Sequence, residues 1–235
     1  NSDIAPVFNN QGELDICQIT SKGIHQSFRN LNTGDLIPTF KNFLLGKINI
    51  KGKLDASQAP IPESGIINQS GRFINDGILH IKNIRGTGIF NDGSGSVDPG
   101  LNIDFESNNV ITINSIGVNV NSPGAQAIAN TAEARFINNN SISIGSDGIG
   151  GNQGGDIKGV GILSQQTGLS TSGNPFFQNN GDITIDRILD GGSQNFESGH
   201  GILFNINSFH FQDISSFENK GILHIGKEGA IAKDR

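Results

Sequence analysis

Apolar and polar positions alternate along this chain in short bursts that share one phase. In FINDGILHI, residues 73–81, Phe73, Asn75, Gly77, Leu79 and Ile81 fall two apart, with Asp76, Ile78 and His80 between them. Period-two alternation puts the first set on one face of an extended strand and the second on the other. The same phase returns in FNNQGELDI at Phe8, FESNNVITI at Phe105, FINNNSISI at Phe136, FQNNGDITI at Phe177 and FENKGILHI at Phe217. A looser copy, FKNFLLGKINI, starts at Phe40 with two extra residues. Each copy predicts a strand with one buried face, bent near its Asn-x-Gly centre.

A second signal follows each motif: a Gly-Ile or Gly-x-Gly-Ile step at Gly23-Ile24, Gly65-Ile66, Gly88-Ile89, Gly161-Ile162 and Gly201-Ile202, with a degenerate form at Ala127-Ile128. Glycine tolerates positive φ and lets backbones approach closely, so this step predicts a corner feeding a second strand. The shortest run from motif Phe to this Ile is 16 residues (Phe73 to Ile89), and the shortest run from Ile to the next Phe is 7 (Ile66 to Phe73). Together they define a minimal coil of 23 residues, and longer spacings are insertions at two fixed corners. The first corner takes insertions around 51–64, 117–126, 145–158 and 186–198, the second around 29–39, 91–104, 165–176 and 205–216. These stretches are rich in Gly, Pro, Asn, Asp and Ser, as turns require.

A unit repeated in this way builds a solenoid. Strand-turn logic in so short a coil predicts an all-β parallel β-helix of about six to seven coils in a single domain, residues 1–235. Stacking coils about 4.8 Å apart would align like residues into rows. Phe8, Phe40, Phe73, Phe105, Phe136, Phe177 and Phe217 form one expected row. Asn10, Asn42, Asn75, Asn138, Asn179 and Asn219 form another, broken at Ser107. Side-chain amides in such a row satisfy one another, so the Asn row is expected to be structural.

Composition agrees with a thin core: 34 % hydrophobic residues, 33 glycines, and 15 phenylalanines with no Tyr, Trp or Met. A net charge of -6 without any Lys/Arg cluster argues against nucleic acid. No apolar run reaches the length of a membrane span. The single cysteine, Cys17, excludes an intrachain disulfide and, placed after Ile16, is expected to be an inert thiol. The start at Asn1 and the absence of Met point to a processed or excised chain.

Candidate chemistry is sparse. Asp182 with Asp186 and Asp190, Asp104 with Glu106, and Asp213 with Glu218 read as solvated surface carboxylates, and no Asp-Asp pair occurs. His80 and His224 share one outward slot several coils apart, while His200 and His210 lack a clear third zinc ligand. No catalytic, cofactor or metal residues are therefore assigned. Calcium is the cation whose oxygen chemistry best suits NDGSGSVDPG (91–100) and GSDGIGGNQGGD (145–156), although plain turn loops account for both segments. Exposed Trp or Tyr for sugar stacking is missing, and FNINSFHFQD (204–213) reads as extra packing on the last coil.

The phrase F-x-N-x-G-x-I-x-I followed by G-x-G-I resembles the repeats of bacterial secreted and cell-surface proteins with right-handed parallel β-helices, notably adhesin-like proteins of Bacteroidota-type bacteria. The resemblance covers about Val7 to Ile231. It implies an extracellular or cell-surface location and a non-enzymatic adhesive or fibre-forming role, with a glycan or cell-surface ligand met by the inserted loops. The terminal segments NSDIAPV and GKEGAIAKDR lack an amphipathic cap, so end-to-end association into filaments is expected. The alternative function is a carbohydrate-active, pectin-lyase-like β-helix enzyme.

Overall fold

A computed structural model describes residues 7–27, 37–53, 64–69, 71–93, 104–117, 125–145, 157–166, 175–186, 188–189, 199–206 and 216–226. The first coil comprises β1 (Val7–Asn10), β2 (Glu13–Ile19) and β3 (Lys22–Gln26). The second holds β4 (Thr39–Asn42), β5 (Lys47–Gly52) and β6 (Ser64–Asn68), and the third β7 (Arg72–Asn75), β8 (Ile78–Ile84) and β9 (Thr87–Asp92). The fourth holds β10 (Asp104–Ser107), β11 (Ile111–Ile116) and β12 (Gln126–Thr131). The fifth runs through β13 (Arg135–Asn138), β14 (Ser141–Ile144), β15 (Ile157–Lys158) and β16 (Val160–Gln166). The sixth follows with β17 (Phe176–Asn179), β18 (Asp182–Ile185), β19 (Ile188–Leu189) and β20 (His200–Ile206), and the last described strands are β21 (Ser216–Asn219) and β22 (Ile222–Ile225).

These strands form three parallel sheets, and each of the first six coils contributes to all three in turn. The Phe strands stack as β1-β4-β7-β10-β13-β17-β21, the Ile-x-Ile strands as β2-β5-β8-β11-β14-β18-β22, and the Gly-Ile strands as β3-β6-β9-β12-β16-β20. The fold is the expected parallel β-helix. It differs in one respect: the bent motif strand resolves into two strands on different sheets, because the Asn-x-Gly bend is sharp enough to break pairing. The direct connections from β8 to β9 and from β6 to β7 match the shortest spacings in the sequence. The bulk of the expected insertions lies outside the described residues.

Rows form as the period predicts. Registers pair Phe8 with Phe40, Phe73 with Phe105 and Phe136 with Phe177. All seven rings stack, with centroids 4.6 to 5.2 Å apart. Phe73, Phe105, Phe136 and Phe177 are fully buried, together with the Ile and Leu rows behind them.

At the bend, Asn10 Nδ2 donates to Asn42 Oδ1 and Asn42 Nδ2 to Asn75 Oδ1, each at 2.8 Å. Asn138 to Asn179 and Asn179 to Asn219 repeat the bond at 2.7 Å. The second amide hydrogen turns to a backbone carbonyl across the bend, as from Asn179 to Gly181 at 2.9 Å. Ser107 accepts from Asn75 at 3.3 Å but spends its one hydroxyl proton on the Asn109 carbonyl at 2.9 Å, which ends the upper half of the ladder. Ser107→Asn should therefore join the halves and raise stability by about 1 kcal/mol, the net worth of one hydrogen bond, read as a higher urea midpoint. An unchanged or lower midpoint would count against continuity of the ladder.

Two backbone devices shape the corners. Gln18, Asn83 and Ser115 adopt positive φ of 57°, 58° and 53°. Each kinks its strand so that the following Ile19, Ile84 or Ile116 turns back into the core. Gly145 (φ 78°) makes the same kink, and Ile157 then pairs with Ile116, so the row continues. On the third sheet, a Cβ at Gly88 would stand 2.5 Å from the Ala127 carbonyl oxygen and 3.0 Å from an Ile113 methyl. This closeness explains the Gly-Ile step.

Candidate functional site

Inward residues being committed to the rows, chemistry is left to the outer faces, the inserted segments and the end coils. Among the described residues, the densest charge lies on the outer face of the Phe sheet. Parallel register sets Arg72 and Arg135 on either side of Asp104. Arg135 Nε lies 3.2 Å from Asp104 Oδ1, and Arg72 reaches both Asp104 at 3.9 Å and Glu106 at 3.8 Å. Burial pushes the Asp104 carboxyl above its usual range, and the two guanidiniums only partly oppose that shift. This corrects the sequence reading of Asp104 as an ordinary solvated carboxylate: its partners lie one coil before and one coil after, where only register reveals them.

Beside this cluster runs an external amide row at the first bend. Asn108 Nδ2 donates to Asp76 Oδ1 at 2.8 Å, Asn139 to Asn108 at 2.7 Å and Asn180 to Asn139 at 2.7 Å. It donates towards the first coil, opposite to the buried ladder. Lys41 closes it with a 3.0 Å ion pair to Asp76. Burial works to raise the Asp76 pKa, but the Asn108 and Lys41 hydrogen bonds and the Lys41 charge hold it below the usual range.

A second buried ladder was missed in the sequence. Asn68 Nδ2 donates to Asn91 Oδ1, and Asn91 to Asn130, both at 2.8 Å. Asn130 then ties the Ala134 and Phe176 carbonyls across the third corner at 3.0 and 3.1 Å. The signal was present: each Asn stands two residues after the Ile of the Gly-Ile step, on the same inward face. Asn91 is thus structural, and its neighbour Asp92 accepts from Thr131 at 2.9 Å and Gln69 at 3.2 Å. The rest of the two calcium-suited segments, 94–100 and 146–156, lies outside the described residues. Among the described residues, no group of three or more His, Cys, Asp and Glu is placed to hold a metal ion.

His80 pairs in register with Asn49 and Thr112, and His224 with Thr184, in one outward column. His200 begins β20, and His210 lies outside the described residues. Burial, with the charges of Lys47 and Lys82, depresses the His80 pKa. A histidine held neutral in the fold takes up its proton more readily when unfolded, so stability falls as pH drops through about 6.5, the ordinary value. His80→Asn, matching its neighbour Asn49, should flatten the thermal-midpoint profile between about pH 7 and 5. An unaltered slope would remove His80 from the pH response.

Cys17 is an exposed free thiol within β2. Asp182 and Glu218 are exposed, and Glu218 pairs with Lys220 at 3.0 Å. Asp190 and Asp213 lie outside the described residues. Of the aromatic segment 204–213, Phe204 packs edge-on against Phe217 at 5.7 Å and remains 44 % exposed. The two extra residues of the Phe40 copy form a turn that exposes Leu44 and Leu45. A cleft of about 380 Å³ opens at the first coils, lined by Val7, Phe8, Ile24, Gln26, Pro38 and Phe40 among others.

Comparison with protein-family models, with curated proteins and with solved structures found no match to this chain. Among the described residues, no helix is long and apolar enough to cross a membrane.

Proposed function

We propose that this protein is a non-enzymatic structural or adhesive β-solenoid of the bacterial exterior, serving as a cell-surface adhesin segment or a self-assembling fibre subunit. The observation that carries this reading is the continuity of the rows. Seven stacked rings and two buried amide ladders commit nearly every recurring side chain to coil-on-coil contact. Such a scaffold is stiff, repeats one surface along its axis, and accepts inserted segments without loss of register. The repeat resemblance supplies the extracellular setting. A glycan or cell-surface ligand would be met by the insertions at the corners, with neither nucleic acid nor a membrane span involved.

Replacing residues 146–156 and 190–198 with short Gly-Ser turns tests this. Binding of the purified protein to glycan arrays or bacterial surfaces should disappear while the β-sheet circular dichroism is retained. Equal binding by the trimmed and full chains would exclude the loops as the recognition element.

One observation favours the carbohydrate-active alternative. Asp104, its carboxyl raised by burial, shares Arg72 with Glu106, and two neighbouring carboxyls in unlike surroundings are the arrangement used in glycoside hydrolysis. Both carboxylates are engaged by arginine, which favours the structural role. Turnover of a polysaccharide that is lost in Asp104→Asn would decide for the enzyme.

A further inference from the structure

We infer, resting on the adhesive reading above, that the outer face of the Phe sheet around Arg72, Asp104, Glu106 and Arg135 is a subsite for a neutral sugar. Adjacent sugar hydroxyls bridge the guanidinium ends to the carboxylates, and the ring beyond them lies on Phe176. These residues fall in two outward columns. One runs Arg72, Asp104, Arg135 and Phe176, and the other runs Ile74, Glu106, Ile137 and Gln178. Their alternates Phe73, Phe105, Phe136 and Phe177 are fully buried, which fixes the outward direction.

The guanidiniums are held here by charge and not by hydrogen bonds. Arg72 stands 3.9 Å from Asp104 and 3.8 Å from Glu106, beyond hydrogen-bond reach. Arg135 Nε comes to 3.2 Å from Asp104 Oδ1, yet its N–H is not aimed at that oxygen. Arg72 Nε, Arg135 Nε and Asp104 Oδ1 are all buried without a hydrogen-bond partner. Such atoms are uncommon in folded proteins, and three at one spot mark a polar network that the chain alone leaves half made. The Nε atoms are covered, so the Nη ends meet the ligand, and both side chains are open, Arg72 by 43 % and Arg135 by 42 %.

Two forks of donors beside two carboxylates call for a ligand that both accepts and donates. A hydroxyl does both, and neighbouring hydroxyls on a sugar ring suit the planar guanidinium fork. The charges of the cluster cancel, two arginines against Asp104 and Glu106, so an oxyanion would lose to the carboxylates what it gains from the arginines. Burial pushes the Asp104 carboxyl up, and a hydroxyl donating to it would favour its ionised form. Part-exposed Phe176, next after Arg135 in its column, supplies the flat apolar surface on which the CH face of a sugar packs. Ile74 and Ile137, also part-exposed, add apolar surface on either side of Glu106.

The test uses the 235-residue chain, isotope-labelled for NMR, with the methyl glycosides of glucose, galactose and mannose as probes. Titration into the millimolar range should move the Arg72 and Arg135 Nε–H resonances and those of the Phe176 ring together, saturably, for at least one glycoside. Arg135→Leu should weaken that glycoside by about tenfold or more, the loss of a hydrogen bond to a charged group. Arg135→Lys should weaken it too, because the ammonium keeps the charge but lacks the fork. Resonances that stay still with every glycoside, shifts produced by acetate or sulfate but by no glycoside, or full affinity in Arg135→Leu would each overturn the sugar subsite. Thermal midpoints confirm that the variants are folded, and the wild-type titration stands without them. Failure here would leave the adhesive scaffold reading intact, because the loop-replacement assay decides that separately.

Discussion

Phe105→Ala should remove about 3–5 kcal/mol of stability, the usual cost of truncating a buried phenylalanine. Phe105 is fully buried and lies between Phe73 and Phe136 at 4.7 and 4.8 Å, with ring planes within 4°. Truncation therefore opens a cavity and breaks two ring contacts, each worth about 0.5–1.5 kcal/mol beyond burial. Phe8 makes one such contact and is half exposed, so Phe8→Ala should cost well under half as much. Urea unfolding of the two variants side by side measures the difference. Because coils interact only with their neighbours, Phe105→Ala is also expected to broaden the transition, as the two halves of the stack begin to melt separately. Equal costs at Phe8 and Phe105 would show that the row is not the source of stability.

The second large effect is expected at Asn42. Its side chain is fully buried, accepts from Asn10, and donates to Asn75 and to the Ile78 carbonyl. Asn42→Leu keeps the volume and removes every polar partner, leaving Asn75 Oδ1 and the Ile78 carbonyl without that donor inside the core. At about 1–3 kcal/mol for each orphaned buried group, the loss should be about 2–5 kcal/mol. Asn10 suffers less, since it also reaches the Gly12 and Lys47 carbonyls. Replacing Asn42 and Asn75 together should cost less than the sum of the single changes, because neither then strands the other. A double-mutant cycle measures that coupling, and strict additivity would mean that the amides act independently.

Most of the scaffold was legible in the sequence because one face of every strand carries a strict period of two. Phe73, Asn75, Leu79 and Ile81 fall inward as the alternation requires, and the break at Ser107 was visible as a missing amide. What escaped had one of two causes. The ladder of Asn68, Asn91 and Asn130 lies two residues beyond the Ile that ended the recognised step, so a real period went uncounted. The environment of Asp104 depends on Arg72 and Arg135 a full coil away in either direction, and no local pattern encodes a partner at that distance. Likewise, the left-handed Gln18, Asn83 and Ser115 share no single residue type. Their conformation is imposed by the need to return the next Ile to the core.

The parallel register has a consequence for how the molecule is made. Asn10 bonds a residue 32 positions on, and Asn138 one 41 positions on. No row contact needs a closure longer than one coil, so the entropic cost of adding a coil is the same at any point along the stack. The slow event is the first pairing of two coils, since neither has a finished surface to land on. After it, each new length of chain meets a complete template of rings, amides and open strand edges. Folding should then advance from one coil to the next at a rate nearly independent of chain length, and a chain emerging gradually from a narrow exit could fold as it appears.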